Sequence, residues 1–173
     1  MDMNGSQLIN ASRETVYAAL NDIDVLRQCI PGCEEIEKTS DTEMAAKVVL
    51  RIGPVKASFS GKVTLSDLDP PNGYTISGEG SGGIAGFAKG GAAVKLDAVP
   101  DGTMLHYDVK AEIGGKIAQL GSRLIDSTAK KLAGEFFEKF SEIVGGPAQT
   151  SAPPAEEEAP QKGWLGRILG SST

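Results

Sequence analysis

Hydrophobic and polar residues alternate along most of the chain between residues 34 and 114, which is the pattern of strands that bury one face. Runs such as Pro70-Pro71-Asn72-Gly73 interrupt the alternation where tight turns are expected. The pattern predicts strands over residues 43–52, 55–68, 74–80, 84–98 and 103–113. Because these strands are long and the links between them are short, we expect one antiparallel meander.

Helical spacing of hydrophobic residues occurs on both sides of this region. A short first strand, near residues 6–10, precedes a helix for which Ser12 is a good N-cap. Residues 23–30 predict a second short helix, ended by Pro31-Gly32. Residues 116–144 predict one long helix, because apolar residues form a continuous stripe along it: Ile117, Leu120, Leu124, Leu132, Phe136, Phe140 and Ile143. These elements predict an α+β helix-grip fold, in which a curved antiparallel sheet wraps around a long C-terminal helix and two short helices follow the first strand.

The composition changes sharply after the long helix. Residues 1–144 predict one folded domain. Residues 145–162 are rich in proline, alanine and glutamate, which cannot support a core, so we expect a disordered linker. Residues 163–173 are hydrophobic again and predict an amphipathic docking peptide, whose apolar residues share one helical face: Trp164, Leu165, Ile168 and Leu169.

Three targets for this docking peptide remain open. The membrane interface favours tryptophan, and a groove on a partner protein would accept the same apolar face. Glu156, Glu157 and Glu158 would be repelled by anionic lipid, which slightly favours the groove. The third alternative is a tail that folds back onto its own domain.

Very small residues dominate one face of the strand predicted over residues 84–98. Alternation places on that face Ile84, Gly86, Ala88, Gly90, Ala92, Val94, Leu96 and Ala98. Sheets that close on a helix usually fill their interior with bulky side chains, because voids cost stability. Two explanations are open: an apolar ligand cavity, or a glycine-kinked strand packed tightly on the long helix. For a cavity, the expected lining residues are Ile30, Leu50, Phe59, Val63, Ile76, Phe87, Val94, Leu105, Tyr107, Leu120 and Leu124.

Charge and cysteine content narrow the functional classes. The formal net charge of −6 argues against nucleic-acid binding and against simple electrostatic adsorption to an anionic membrane. The N-terminal segment lacks the apolar core of a secretory signal, and no hydrophobic run is long enough to span a bilayer, so we expect a cytoplasmic protein. With two cysteines and one histidine in the chain, neither a metal site nor an iron–sulfur cluster is expected.

Few single residues offer chemistry. His106 lies on the outer face by alternation, where a surface role is expected. Tyr107 points inward, where its hydroxyl would bind either a ligand carbonyl or the backbone. Cys29 and Cys33 flank a sharp turn and are expected to be reduced packing groups. Phe87 interrupts the run of small residues, either as a lid over the cavity or as ordinary core.

Three segments resemble the CoxG family of carbon monoxide dehydrogenase accessory proteins, which belongs to the START-like superfamily of ligand-binding folds. They are LRQCIPGCEEIEK, GEGSGGIAGFAKGGAAVKL and TMLHYDVKAEIGGKIAQLGSRLI. The resemblance covers about residues 3–144, and the segment from Cys29 to Cys33 is its most specific part. It implies a non-catalytic accessory role beside a molybdenum hydroxylase of the carbon monoxide dehydrogenase type, and attachment of that enzyme to the cytoplasmic membrane. No catalytic residue and no prosthetic group follow from it.

The residues and the resemblance together lead to one hypothesis and two alternatives. The hypothesis is a peripheral membrane protein that carries an apolar ligand, a membrane quinone or a similar lipid, to the hydroxylase. The first alternative is a recruitment adaptor without a ligand. The second is a START-like cyclase or hydrolase, which would have to rest on Tyr107, Asp108 and His106 without a clear pair of nucleophile and base.

Overall fold

One antiparallel sheet contains every strand of the computed structural model, which describes residues 1–145. Its strands lie in the order β1-β7-β6-β5-β4-β3-β2. The predicted meander is confirmed from β3 to β7, β2 extends it at one edge, and β1 pairs with β7 at the other. The strands are β1 Asp2–Ile9, β2 Cys33–Ser40, β3 Glu43–Ile52, β4 Val55–Asp69, β5 Gly73–Ser81, β6 Phe87–Val99 and β7 Gly102–Gly114.

The two predicted short helices lie between β1 and β2. Helix α1 spans Arg13–Leu20, and the Ser12 side chain accepts a hydrogen bond from the backbone N–H of Thr15 at 3.2 Å. Helix α2 spans Ile23–Cys29 and ends just before Pro31-Gly32. The sequence pattern therefore predicts both helices and their ends.

Glycines interrupt one predicted helix and shorten one predicted strand. The helix predicted over residues 116–144 is a 3-10 helix, Lys116–Leu120, followed by α3, Ser122–Gly145. Gly121 separates them with a φ of 95°, outside the helical range. The strand predicted from residue 84 begins at Phe87, because a 3-10 turn over Gly83–Ala85 occupies its start. Ile84, assigned by alternation to the inner face, is 92% exposed.

The hydrophobic core lies towards one end of the sheet, where α1 and α2 pack beside the C-terminal half of α3. Its fully buried members include Ile9, Val16, Leu96, Leu105 and Phe140. Within the sheet, the backbone of α3 comes closest to β1 and β3, near the two edges. The central strands therefore face α3 across a wider gap. We call the space between α3 and the inner face of the sheet the interior.

Candidate functional site

Strand register defines which residues face the interior. In β6, Ala88, Gly90, Ala92 and Val94 lie on the same face as Tyr107 of β7. The predicted inward face of this strand is therefore confirmed from residue 88 onward. A row of small residues crosses the inner face through four neighbouring strands: Ala46, Gly61, Gly80 and Ala88. This row leaves the middle of the sheet without bulky inward side chains.

Most of the predicted lining residues keep some solvent exposure although they point into the molecule. They are Ile30, Leu50, Phe59, Val63, Ile76, Val94, Tyr107, Leu120 and Leu124, all intermediate in burial. An inward apolar side chain between a sheet and a helix is normally buried completely, because interiors are close-packed. Five of the nine, Ile30, Val63, Ile76, Val94 and Tyr107, pack against the buried core, and the partial exposure of the whole set indicates that the interior is incompletely filled.

Two predicted lining residues do not belong to this set. Leu105 is 1% exposed and lies within the filled core, so it has no free surface to offer a ligand. Phe87 is 43% exposed and lies on the outer face, because Ala88 beside it points inward. A side chain at Gly114 would collide with the Phe87 ring, which covers that part of β7. Phe87 is therefore neither part of the buried core nor directed inward, and its predicted role as a lid stays a prediction.

The two explanations offered for the small residues apply at different positions. A side chain at Gly90 would collide with the Lys110 carbonyl oxygen, and one at Gly91 with the Ile76 carbonyl oxygen. These two glycines permit close approach of neighbouring strands, as the kinked-strand alternative requires. At Gly80, the nearest atom to an added Cβ would be 3.8 Å away. This is ordinary van der Waals contact, so close strand approach does not require a glycine at position 80, and the cavity explanation stays open there.

Aromatic rings form the boundary between the interior and the core. The Tyr107 ring stacks on Phe137 of α3 with centroids 5.5 Å apart, and Phe137 contacts Phe136 edge-on at 5.1 Å. Phe136 stacks in turn on the fully buried Phe140. Phe136 and Phe137 are only partly buried and were not predicted as lining residues. The adjacent pair of phenylalanines on the predicted helix was the available signal.

The cysteines are packing groups without activated thiols. Cys29 is buried, and burial raises its pKa to about 11, partly offset by the nearby Lys139 ammonium. Burial also raises the pKa of Cys33, whose thiol donates a hydrogen bond to the Glu35 carbonyl oxygen at 3.5 Å. Both thiols are therefore protonated at neutral pH and are poor nucleophiles.

The residues on which an enzyme would have to rest are divided between the two faces of the sheet. His106 lies outside, where its Nε2 is 3.1 Å from a carboxylate oxygen of Asp97, and both side chains are nearly half exposed. Asp108 is also outside, whereas Tyr107 between them points inward. The structure therefore does not bring Tyr107, Asp108 and His106 together. Across residues 1–145, no cluster of three or more potential metal ligands occurs.

A groove of about 1120 Å³ crosses strands β2 to β6, and its lining combines the four small residues of the row with residues of the outer face. Its charged lining residues are Arg27, Glu34, Glu35, Glu37, Lys47, Lys62, Glu79 and Lys89. Of the predicted lining residues it includes only Phe87. The groove shares the small residues of the row with the interior, but its mixed charges do not suit an apolar ligand, so the inward apolar side chains are the better candidate site.

Comparison with solved structures defines the class of protein. A START superfamily protein from Mycobacterium smegmatis has 14% identity and a TM-score of 0.63, covering 83% of this chain and 97% of that chain. The Zhui aromatase/cyclase from Streptomyces sp. R1128 has 9% identity and a TM-score of 0.59, covering 84% and 93%. At these identities the likeness concerns the fold alone, and the fold is START-like.

Two further comparisons identify the family. A conserved protein from Geobacillus kaustophilus has 31% identity and a TM-score of 0.79, covering 84% of this chain and 95% of that chain. The family model for CoxG, a subunit of carbon monoxide dehydrogenase, matches residues 5–145. The chain therefore belongs to the CoxG family. A search of curated proteins found no match.

Two parts of the chain concern the predicted membrane attachment: the helices of the folded domain and the C-terminal docking peptide. None of the helices in residues 1–145 combines the length and apolar character that crossing a bilayer requires. The predicted linker and the docking peptide with Trp164, Leu165, Ile168 and Leu169 lie outside the described residues.

Proposed function

We propose that this chain is a non-catalytic accessory protein that binds one apolar ligand in its interior. The observation that carries the proposal is the partial exposure of inward apolar side chains beside the row of small residues. Leaving this space unfilled costs stability, at about 24 cal/mol per Å³ in core cavities. A bound apolar molecule would recover the lost contacts and remove its own surface from water.

The lining supports a lipid-like ligand with a small polar head, and we propose a membrane quinone. Leu50, Phe59 and Leu124 offer aliphatic and aromatic surface for an isoprenoid-like tail. Tyr107 provides a hydroxyl near the aromatic boundary, where it would donate a hydrogen bond to a quinone carbonyl. Its stacking partner Phe137 would present a ring face to a planar head group.

Membership of the CoxG family indicates the enzyme to which we propose this ligand is delivered. We propose that the protein serves a molybdenum hydroxylase of the carbon monoxide dehydrogenase type and links it to the cytoplasmic membrane, with the C-terminal docking peptide contributing to attachment. A quinone carried in the interior would then accept electrons from the enzyme. The competing function is an adaptor that recruits the enzyme without any ligand.

Lipid extraction followed by mass spectrometry tests ligand binding directly. The full chain is purified from cells that contain quinones, alongside two variants of adjacent residues in β6. Ala92→Leu adds bulk on the inner face, and Ala93→Leu adds the same atoms on the outer face. We expect wild type and Ala93→Leu to yield a quinone or similar lipid, and Ala92→Leu to yield much less.

Absence of lipid from all three proteins, with hydroxylase binding retained, would contradict the carrier and support the adaptor. Equal lipid content in Ala92→Leu and Ala93→Leu would show that the ligand binds outside the interior. Thermal unfolding of both variants is the control, because each must remain folded for the comparison to count.

A further inference from the structure

The connections at the two ends of the sheet differ in charge. Three connections meet at one end, which we call the open end: residues 51–56, 82–87 and 114–124. They contain no acidic residue and four exposed cations, namely Arg51, Lys56, Lys116 and Arg123. The strand turns at the opposite end, over residues 40–43, 67–73 and 99–102, contain no cation and five exposed acidic residues, namely Asp41, Glu43, Asp67, Asp69 and Asp101.

The three connections of the open end touch one another. An added Cβ at Gly53, in the β3–β4 turn, would lie 2.8 Å from the Leu124 side chain. One at Gly86, in the β5–β6 connection, would lie 3.0 Å from the Ile117 side chain. The cations therefore belong to one continuous surface, at the end of the interior that the core does not fill.

An isoleucine stands at the tip of this surface. Ile84 is 92% exposed, whereas Ala85 beside it is 6% exposed. The loop around it is closed by hydrogen bonds from the Gly82 N–H to the Gly86 carbonyl oxygen at 2.8 Å, and from the Ala85 N–H to the Gly82 carbonyl oxygen at 3.2 Å. The backbone thus holds Ile84 outward, and Phe87 nearby is 43% exposed.

We propose that the open end docks on an anionic lipid bilayer, with its cations against lipid phosphates and Ile84 inserted between head groups. Cations around an exposed apolar tip match the interfacial region, which is negatively charged at its surface and apolar below. An acidic groove on a protein would match the cations but would give no reason for a rigidly presented isoleucine.

The net charge of −6 does not oppose this docking. Strand β7 alone, Gly102–Gly114, separates the two ends by roughly 40 Å. The Debye length is only about 8 Å at physiological ionic strength, so a bilayer at the open end hardly senses the acidic end. The net charge of the whole chain therefore does not determine whether the open end adsorbs to an anionic bilayer.

Vesicle flotation of the full chain tests the docking surface. The vesicles are phosphatidylcholine alone, or phosphatidylcholine with about 30 mol% phosphatidylglycerol as the anionic lipid. The test variant is Lys116→Glu/Arg123→Glu, and the matched control is Lys130→Glu/Lys131→Glu on the exposed side of α3. Each reverses two cations, so both lower the formal net charge from −6 by the same amount. Every protein is also measured with Trp164→Glu, which separates the contribution of the tail.

We expect wild type to bind the anionic vesicles more strongly than the neutral ones, with and without Trp164→Glu. Since each cation at a charged surface contributes roughly fivefold, Lys116→Glu/Arg123→Glu should weaken anionic-vesicle binding by at least about 25-fold. The control double variant should weaken it by less than about threefold. Ile84→Ser should weaken it by roughly tenfold, whereas Leu8→Ser, at an exposed leucine in β1, should have little effect.

Equal loss in the test and control variants would overturn the proposal, because total charge would then explain the binding. So would variants that keep vesicle binding but lose the hydroxylase, since the open end would then be a protein-docking surface. Lipid content of each purified variant is measured in parallel. Vesicle docking by wild type that contains no lipid when purified from cells would support this inference while contradicting the proposed carrier function.

Discussion

At the scale of single residues, depth along a strand decides whether an inward side chain belongs to the core or to the interior. Leu105 and Tyr107 share one face of β7, yet Leu105 is 1% exposed and Tyr107 is only partly buried. Alternation predicts the face but contains no information on depth, because depth depends on where α1 and α2 pack. For that reason alternation places Leu105 on the inner face but does not predict its burial in the core, and the ligand-lining role of the other residues stays a prediction.

Substitution of two phenylalanines should show whether the core is packed more tightly than the interior. Phe140 is fully buried in the core, whereas Phe59 faces the interior. Phe140→Ala should lower the free energy of unfolding by about 3–5 kcal/mol. Phe59→Ala should cost less than half of that in protein without ligand, because the ring already borders unfilled space. Urea denaturation of both variants checks this, and similar losses would mean that the interior is packed.

The thiols offer a prediction on pH. Burial raises the pKa of Cys29 from the ordinary value of 9.0 to about 11, so the folded state holds this proton more tightly than the unfolded state. The resulting stabilisation is complete below pH 9 and is lost as the pH rises towards 11. The free energy of unfolding should therefore fall across this window, and fall less in Cys29→Ala. An identical decline in both proteins would show that Cys29 is not responsible.

At the scale of elements, alternation predicts strands that have one apolar and one polar face. Strand β3, Glu43–Ile52, has the predicted bounds. Strand β2 gave no separate signal, because Ile36 is its one buried residue between charged neighbours at an edge of the sheet. The break at Gly121 was also missed, since Leu120 and Leu124 keep helical spacing across a glycine whose backbone is not helical.

The glycines of the sheet should respond differently to alanine. Gly90→Ala would place a Cβ against the Lys110 carbonyl oxygen, so the paired strands must separate. We expect a loss of about 2–3 kcal/mol in the free energy of unfolding. Gly80→Ala finds its nearest neighbour at 3.8 Å and should change stability by less than about 0.5 kcal/mol. Equal effects at the two positions would contradict the conclusion that Gly90 permits close strand approach whereas position 80 accepts a side chain.

At the scale of the whole molecule, the fold separates features that the sequence presents only as totals. The core and the acidic turns lie at one end of the sheet, and the connections with exposed cations and Ile84 lie at the other. Neither the difference in packing nor the difference in charge between the two ends is visible along the chain, because β-hairpins bring residues from distant segments to the same end. A protein of this shape is suited to present one end of its interior to a charged surface.

Ligand binding should raise the stability of the whole domain. A ligand that binds only the folded state stabilises it by about 2.7 kcal/mol at a hundredfold excess over Kd. Wild type and Ala93→Leu should therefore melt at higher temperature when a short-chain quinone is added, and Ala92→Leu should not. A shift of the same size in all three proteins would indicate binding away from the interior.

The most direct test of the central claim is a calorimetric titration of delipidated protein with that short-chain quinone. We predict saturable binding of one quinone per chain in wild type and Ala93→Leu. Overpacking of the interior should weaken binding by at least about tenfold in Ala92→Leu. Absence of saturable binding in wild type, or equal affinity in Ala92→Leu and Ala93→Leu, would contradict the account of an interior built to hold an apolar ligand.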